Sequence, residues 1–460
     1  MEGSWLCESV LPESREGILG DGRIQIYNNF MAKVEGLREV FVVDGARTPF
    51  LKAKGHAGPF KAGDLAVQAG RAILNRQPFE PSDLDEVIIG CVKEGLDETS
   101  IGRIIALRLG CGKKVTGFTV NRNCGSGMQA IDSGWNNIAT GRADLVLAGG
   151  TEAMSHAPLF FEQAFADWLS DYMRAKTAVA KIKKILAFRL KFIKPIIGLI
   201  NGLTDPVVGL SMGQTTENLA YRFKITRNEM DSFSVNSHAK LVTAQKEGHI
   251  EELIEIFDAK GNLYDFDDGV RPDSSVDRLG KLKPVFDPGV GLVTAGNSAQ
   301  VTDGSALVLL ASSDAVKKHG LKTIGRVVDT EWAGCDPAQM GLGPTHAMAP
   351  LLDRNGLKTS DVDYWEINEA FAGQVIACLR AWNGDYFKEE MGIENFPGDI
   401  DIEKLNIDGG AVALGHPVGA TGGRLVIHML KILERTGKKR GVVSLCIGGG
   451  QGGAMLVERD

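Results

Sequence analysis

Two stretches of this chain follow one plan. Ser82-Asp83-Leu84-Asp85-Glu86-Val87-Ile88-Ile89 and Ser360-Asp361-Val362-Asp363-Tyr364-Trp365-Glu366-Ile367 each leave a helical stretch, turn on Ser-Asp and enter an apolar strand. Farther on, Leu147-Ala148-Gly149-Gly150 and Leu445-Cys446-Ile447-Gly448-Gly449-Gly450 each close a strand with glycines. A unit met twice in the same order points to duplication: two copies of one α/β module, with extra chain inserted after the first. Val40-Phe41-Val42-Val43, Val87-Ile88-Ile89 and Leu145-Val146-Leu147 read as strands, and Gly63 to Leu74 and Gly127 to Ile138 as helices. Strands alternating with helices predict a mostly parallel sheet covered on both faces.

Composition narrows the function. At 460 residues and 43% hydrophobic, the chain can bury a large core, and its net charge of −7 argues against a general nucleic-acid binder. No segment reaches the ~20 apolar residues that span a bilayer. Residues 1–30 carry Glu2, Glu8, Glu13, Glu16 and Asp21 and lack the pattern of a signal or transit peptide, so the expected location is cytoplasmic. Seven scattered cysteines with no CxxC pair exclude a disulfide framework or structural zinc site and suit a reducing compartment.

The insertion, 154–300, differs in texture. Arg174, Lys176, Lys181, Lys183, Lys184, Arg189, Lys191 and Lys194 follow one another without an intervening acid, with Ile182, Ile185, Leu186 and Ile193 at helical spacing among them. The segment 174–200 reads as a basic amphipathic helix suited to an anionic surface, or as the solvated face of a lid.

Four segments carry chemistry. Asn121-Arg122-Asn123-Cys124-Gly125-Ser126-Gly127 places Cys124 on a strand-to-helix turn, where free backbone N–H groups and the helix dipole favour a thiolate and can hold an oxyanion. Gly415-His416-Pro417 sets an imidazole on a loop of small residues, able to take a proton from a thiol. Cys446 precedes Gly448-Gly449-Gly450 at a strand end and is expected to be accessible. Glu366-Ile367-Asn368-Glu369-Ala370-Phe371 leaves the strand of the second repeat, the usual place for a site in an α/β sheet.

Taken together and in this order, from about Val40 to Glu458, these segments closely resemble the thiolase family. The resemblance implies an α/β fold of two repeated βαβαβαββ halves forming a five-layered αβαβα core with an inserted loop domain. Its expected parts are an N-terminal extension, 1–37, disordered; a first half, 38–153, completed by about 301–312; the loop domain, 154–300; and a second half, 313–460. It also implies roles: Cys124 as the acylated nucleophile, His416 as its base, Cys446 as the acid/base at Cα of acetyl-CoA. Asn368, through a water, and His416 would stabilise the thioester enolate. The backbone N–H groups of Cys124 and Gly448 would form a second oxyanion hole.

The implied reaction is cleavage of a 3-oxoacyl-CoA to acetyl-CoA and a shortened acyl-CoA, with CoA as substrate and neither cofactor nor metal. The alternative within the family is an acetoacetyl-CoA thiolase joining two acetyl-CoA. A ketosynthase would pair its cysteine with two histidines, or with a histidine and an asparagine, and Cys446 argues against it; a non-catalytic lipid-binding relative would have lost Cys124, His416 or Cys446. Many relatives carry serine where Ala299 stands, so Ser298 is the candidate for the CoA contact in Thr294-Ala295-Gly296-Asn297-Ser298-Ala299-Gln300. The family further implies a homodimer or dimer of dimers. The basic stretch is similar to that of thiolase subunits of β-oxidation complexes, which implies a hydratase–dehydrogenase partner or a peripheral site on an anionic membrane.

Overall fold

In a computed structural model the two copies found in the sequence share one sheet. The structure describes residues 37–391, 393 and 397–459. The expected extension, 1–37, lies outside these but for Leu37, as does Cys7.

The first copy comprises β1 (Val40–Arg47), α1 (Ala62–Leu74), β2 (Glu86–Gly90), α2 (Ile101–Arg108), β3 (Thr116–Val120), α3 (Ser126–Ala139) and β4 (Leu145–Ala153). The insertion contributes α4 (Gln163–Arg174), α5 (Ala178–Leu186), α6 (Met212–Arg222) and α7 (Arg227–Lys246), after which β5 (Thr302–Ser312) completes the copy. The second runs through β6 (Gly325–Gly334), α8 (Gly343–Arg354), β7 (Tyr364–Ile367), α9 (Ala372–Trp382), α10 (Thr421–Thr436), β8 (Arg440–Ile447) and β9 (Gln451–Glu458). A counterpart of β3 is reduced there to one parallel bridge, Trp365 to Leu405.

The strand order is β7-β8-β9-β6-β1-β5-β4-β2-β3, with Leu51–Lys52 added beside β5. The sheet is mixed, which corrects the mostly parallel expectation. Parallel pairing holds for β2 with β3 and β4 and for β7 with β8, while β1, β5, β6 and β9 pair antiparallel. For β8 and β9 the reason is connection length: Gly448-Gly449-Gly450 turns β8 straight back into β9, too short a link for a parallel crossover.

Apolar faces decide the layers. One cluster packs α1 and α2 on the first half of the sheet, and another packs α8 and α9 on the second. Between them Met128, Ile131 and Ile138 of α3 and Leu425, Met429 and Leu433 of α10 meet strands of both halves, giving the αβαβα order. The two central helices touch through glycine. A Cβ on Gly422 would strike the backbone of Met128, and one on Gly127 would lie 3.0 Å from the Gly423 nitrogen.

The basic stretch is not one helix. It breaks into α5, a 3-10 turn Leu190–Ile193, the strand Ile196–Ile197 and the short helix Gly198–Gly202. Pro195 has no N–H to continue a helix, and the extended backbone of Lys194 accommodates it. Lys184 also pairs with Asp171 of α4 at 2.6 Å, an acid lying just outside the stretch.

Candidate active site

Cys124 stands one residue before the N-cap of α3, between β3 and that helix, because Gly125 and Ser126 turn the chain there. It is partly exposed, onto a cavity of about 450 Å³. Val92, Met154, Leu203, Met212 and Val418 give this cavity a largely apolar wall, and Glu152 and Gly448 also face it. Burial pushes the thiol up to about 11, and the Gly448 N–H and the N–H of Cys124 itself, both directed at the sulfur, oppose that shift. Loss of solvation at the sulfur thus opposes the helix terminus, in keeping with the base expected for this thiol. Cys124 rests as a thiol and needs a base.

Gly448 comes from the turn after β8. The Asn123 side chain donates to its carbonyl oxygen at 2.8 Å, tying that turn to the cysteine loop. Cys446, two residues earlier, is 1% exposed, so the expected accessibility is corrected: the glycines after it turn the chain, but β8 stays inside. Burial holds its thiol well above the usual range, and the neighbouring Cys124 raises it further.

His416 is buried, and its Nδ1 lies 2.7 Å from Oγ1 of Thr421, in the first turn of α10. The Thr421 hydroxyl spends its one proton on the Pro417 carbonyl at 3.0 Å. It must therefore accept from the imidazole, which places the ring proton on Nδ1 and leaves Nε2 with a bare lone pair. Nε2 has no hydrogen-bond partner among the described residues. Burial first, and the charge of Arg424 second, lower the imidazole to about 3, so it stays neutral.

Asn368 follows β7, fully buried. Its Oδ1 accepts from Arg424 Nη2 at 3.4 Å, and its Nδ2 is unpartnered among the described residues. The adjacent Glu369 accepts from Ser237, Asn406 and the Val412 N–H, anchoring the segment that leads to His416. Ser298 is buried, and its hydroxyl donates to the Thr294 carbonyl at 2.7 Å.

Three residues escaped the sequence reading: Glu152, Thr421 and Arg424. Glu152 accepts from the N–H groups of Val92, Lys93 and Gly419 at 2.9, 3.0 and 3.1 Å, joining a loop of the first half to the His416 loop. Burial raises it to about 7. Its signal was a carboxylate inside the apolar strand Leu145–Ala153, which runs on through Gly149-Gly150 rather than ending there. Among the described residues no group of three or more His, Cys, Asp or Glu side chains could hold a metal, and no helix is long and apolar enough to cross a membrane.

Family models described as thiolase, N-terminal domain, and thiolase, C-terminal domain, match residues 40–314 and 321–459. The beta-ketoadipyl-CoA thiolase of Pseudomonas knackmussii is 38% identical over 430 residues, which is 92% of this chain and 99% of that protein. The mitochondrial 3-ketoacyl-CoA thiolase of Homo sapiens is 38% identical over 428 residues, 92% of this chain and 98% of that one. Among solved structures, the human mitochondrial 3-ketoacyl-CoA thiolase in complex with CoA matches with a TM-score of 0.80 at 37% identity, covering 92% and 99% of the two chains. The Bacillus anthracis acetyl-CoA acetyltransferase matches with a TM-score of 0.80 at 33% identity, covering 92% and 100%.

Proposed function

This chain belongs to the thiolase family and is a CoA-dependent acyltransferase, and from that premise we propose that it cleaves 3-oxoacyl-CoA thioesters in fatty-acid β-oxidation. The observation that carries the assignment of the nucleophile is the place of Cys124, at the start of α3 on the wall of a largely apolar cavity, with Gly448 on the same wall.

His416 Nε2 takes the Cys124 proton, and the thiolate attacks the 3-oxo carbon. The N–H groups of Cys124 and Gly448 hold the tetrahedral oxyanion. The C2–C3 bond then breaks, leaving an acyl group on Cys124 and expelling the enolate of acetyl-CoA. Asn368, through a water, and the protonated His416 hold the enolate oxygen, and the Cys446 thiol protonates its Cα. The incoming CoA thiol gives its proton to the Cys446 thiolate and attacks the acyl-enzyme; Cys124 leaves as a thiolate and takes its proton back from His416, so that both cysteines and the imidazole end as they began. The apolar cavity wall supports an acyl chain longer than acetyl, and so a degradative enzyme rather than one joining two acetyl-CoA. Rates with 3-oxoacyl-CoA substrates of increasing length test this: turnover falling steadily beyond acetoacetyl-CoA would favour the alternative, and absence of an acyl group on Cys124 would overturn the mechanism.

A second reading concerns the surface from Leu159 to Ile197. Met173, Leu186 and Leu190 are 74, 80 and 79% exposed, beside the cations between Arg174 and Lys194. In a chain of net charge −7 this local excess of cations supports docking on an anionic lipid surface in the cytoplasm. Binding to anionic but not neutral vesicles tests it; capture only by a hydratase–dehydrogenase would replace lipid with protein. β3 ends the sheet with Phe118 exposed, an edge through which two copies can pair as the homodimer we propose, which sedimentation would test.

A further inference from the structure

The first turn of α10 does more than place Thr421 under the imidazole. Arg424, three residues on, reaches across to β7. Its Nη1 donates to Glu366 Oε2 at 2.6 Å and its Nη2 faces Asn368 Oδ1 at 3.4 Å. Arg424 and Glu366 are each 1% exposed, and Asn368 is fully buried. A charge held so deep needs a partner, and Glu366 supplies it. The contact with Asn368 is not needed for that balance, which raises the question of what it does.

An amide has one accepting end and one donating end, and a guanidinium can only donate. The side of Asn368 that meets Arg424 must therefore be its oxygen. Its NH₂ is turned the other way, where it meets no partner among the described residues. Without the guanidinium the amide could flip with little penalty and take a hydrogen from the bridging water instead of donating to it, which would leave that water a poorer donor to the enolate oxygen.

We propose that Arg424 is a positioning residue that fixes the amide of Asn368 with its nitrogen toward the thioester enolate. This rests on the reading above in which Asn368 serves that enolate. One helical turn then sets both partners of the site: Thr421 fixes which nitrogen of His416 carries the proton, and Arg424 fixes which end of Asn368 faces the ligand. The anchor is stiff because Glu366 sits on the strand that carries Asn368, two residues before it.

The test separates the two half-reactions. Exchange of the Cα protons of acetyl-CoA with solvent requires the enolate; acylation of Cys124 by an acyl-CoA does not. Arg424→Met should slow exchange by about 10²-fold, the cost of losing one preorganised donor, while acylation stays within about threefold. Arg424→Lys, which keeps the charge but not the fork, should recover part of the exchange. Because Arg424→Met strands Glu366, the same measurements are made on Arg424→Met with Glu366→Gln, a pair without buried charge; the split between exchange and acylation should persist. In an Asn368→Ala background, Arg424→Met should cost no further exchange. Multiplying costs there, or equal losses in exchange and acylation, would reduce Arg424 to a structural ion pair and overturn the proposal. Native exchange in Asn368→Ala itself would overturn the enolate reading, and the proposal with it.

Discussion

The floor of the site and the surface from Leu159 to Ile197 solve opposite problems with neighbouring stretches of chain. On the floor, each polar atom that sets a geometry is tied down: Nδ1 of His416 to Thr421, Oδ1 of Asn368 to Arg424, both oxygens of Glu152 to backbone N–H groups. Among the described residues the atoms left unpartnered there include the His416 Nε2 lone pair and the Asn368 NH₂, with Arg424 Nε and Glu366 Oε1 behind them. On the outer surface it is the apolar side chains that lack cover, with Met173 and Leu190 mostly exposed. Unsatisfied polar atoms in a dry site signal chemistry, and unsatisfied apolar atoms at a wet surface signal association.

The sharpest way to test this division is to remove the nucleophile. Cys124→Ala should lose acyl transfer by more than about 10⁴-fold and leave vesicle binding unchanged. Cys446→Ala should still accept an acyl group on Cys124 but lose Cα exchange. If Cys124→Ala turned over normally, the floor would lie elsewhere.

Next in size is the junction of the central helices. Gly422→Ala forces a Cβ against the Met128 backbone, and should destabilise the fold by about 1–3 kcal/mol. Denaturant midpoints measure this; an unchanged midpoint would mean the helices can part without loss.

A third measurement uses pH. The Cys124 thiol lies at about 11, above its ordinary value, so at neutral pH it is protonated. Raising the pH populates the thiolate, and alkylation by iodoacetamide should quicken by about tenfold per unit until it levels near that value. Mass spectrometry should find the label on Cys124 ahead of the buried Cys91, Cys111, Cys378 and Cys446. A rate that is flat from neutral pH upward would instead mean a resting thiolate.

The smallest effect on chemistry is expected from the outer surface. Reversing Lys181, Lys184, Lys191 and Lys194 should weaken binding to anionic vesicles by about tenfold or more. Turnover of a short 3-oxoacyl-CoA should change by no more than about twofold. A large rise in KM for CoA would instead assign these cations to its phosphates and merge the two regions.

Both copies of the repeat were legible because Val87-Ile88-Ile89 and Tyr364-Trp365-Glu366-Ile367 are largely buried strands, apolar throughout in the first and broken only by Glu366 in the second. Helices α1 and α3 fell within a residue of their expected bounds, since glycine and small polar residues mark their starts. Pairing direction was not legible, because it depends on how the copies meet and not on either alone. Cys124, His416 and Cys446 stood out by nearby glycines, Asn368 by its place after a strand, and all four by their order. Arg424 and Glu152 were hidden in apolar runs, where a lone charge reads as exposure until its partner in another element is seen. The basic stretch misled because its periodicity is local, and no packed face holds it to a single helix.

The contact between α3 and α10 has a consequence for the order in which the chain is made. Cys124 emerges from the ribosome well before His416, Asn368 and Cys446, and its half can fold first. Until α10 arrives, that half has the cysteine but no imidazole to draw its proton and no Gly448 N–H to hold an oxyanion. On the mechanism proposed above, a nascent or truncated chain would lack both, and capture of an acyl group would await the closing of the two halves on each other.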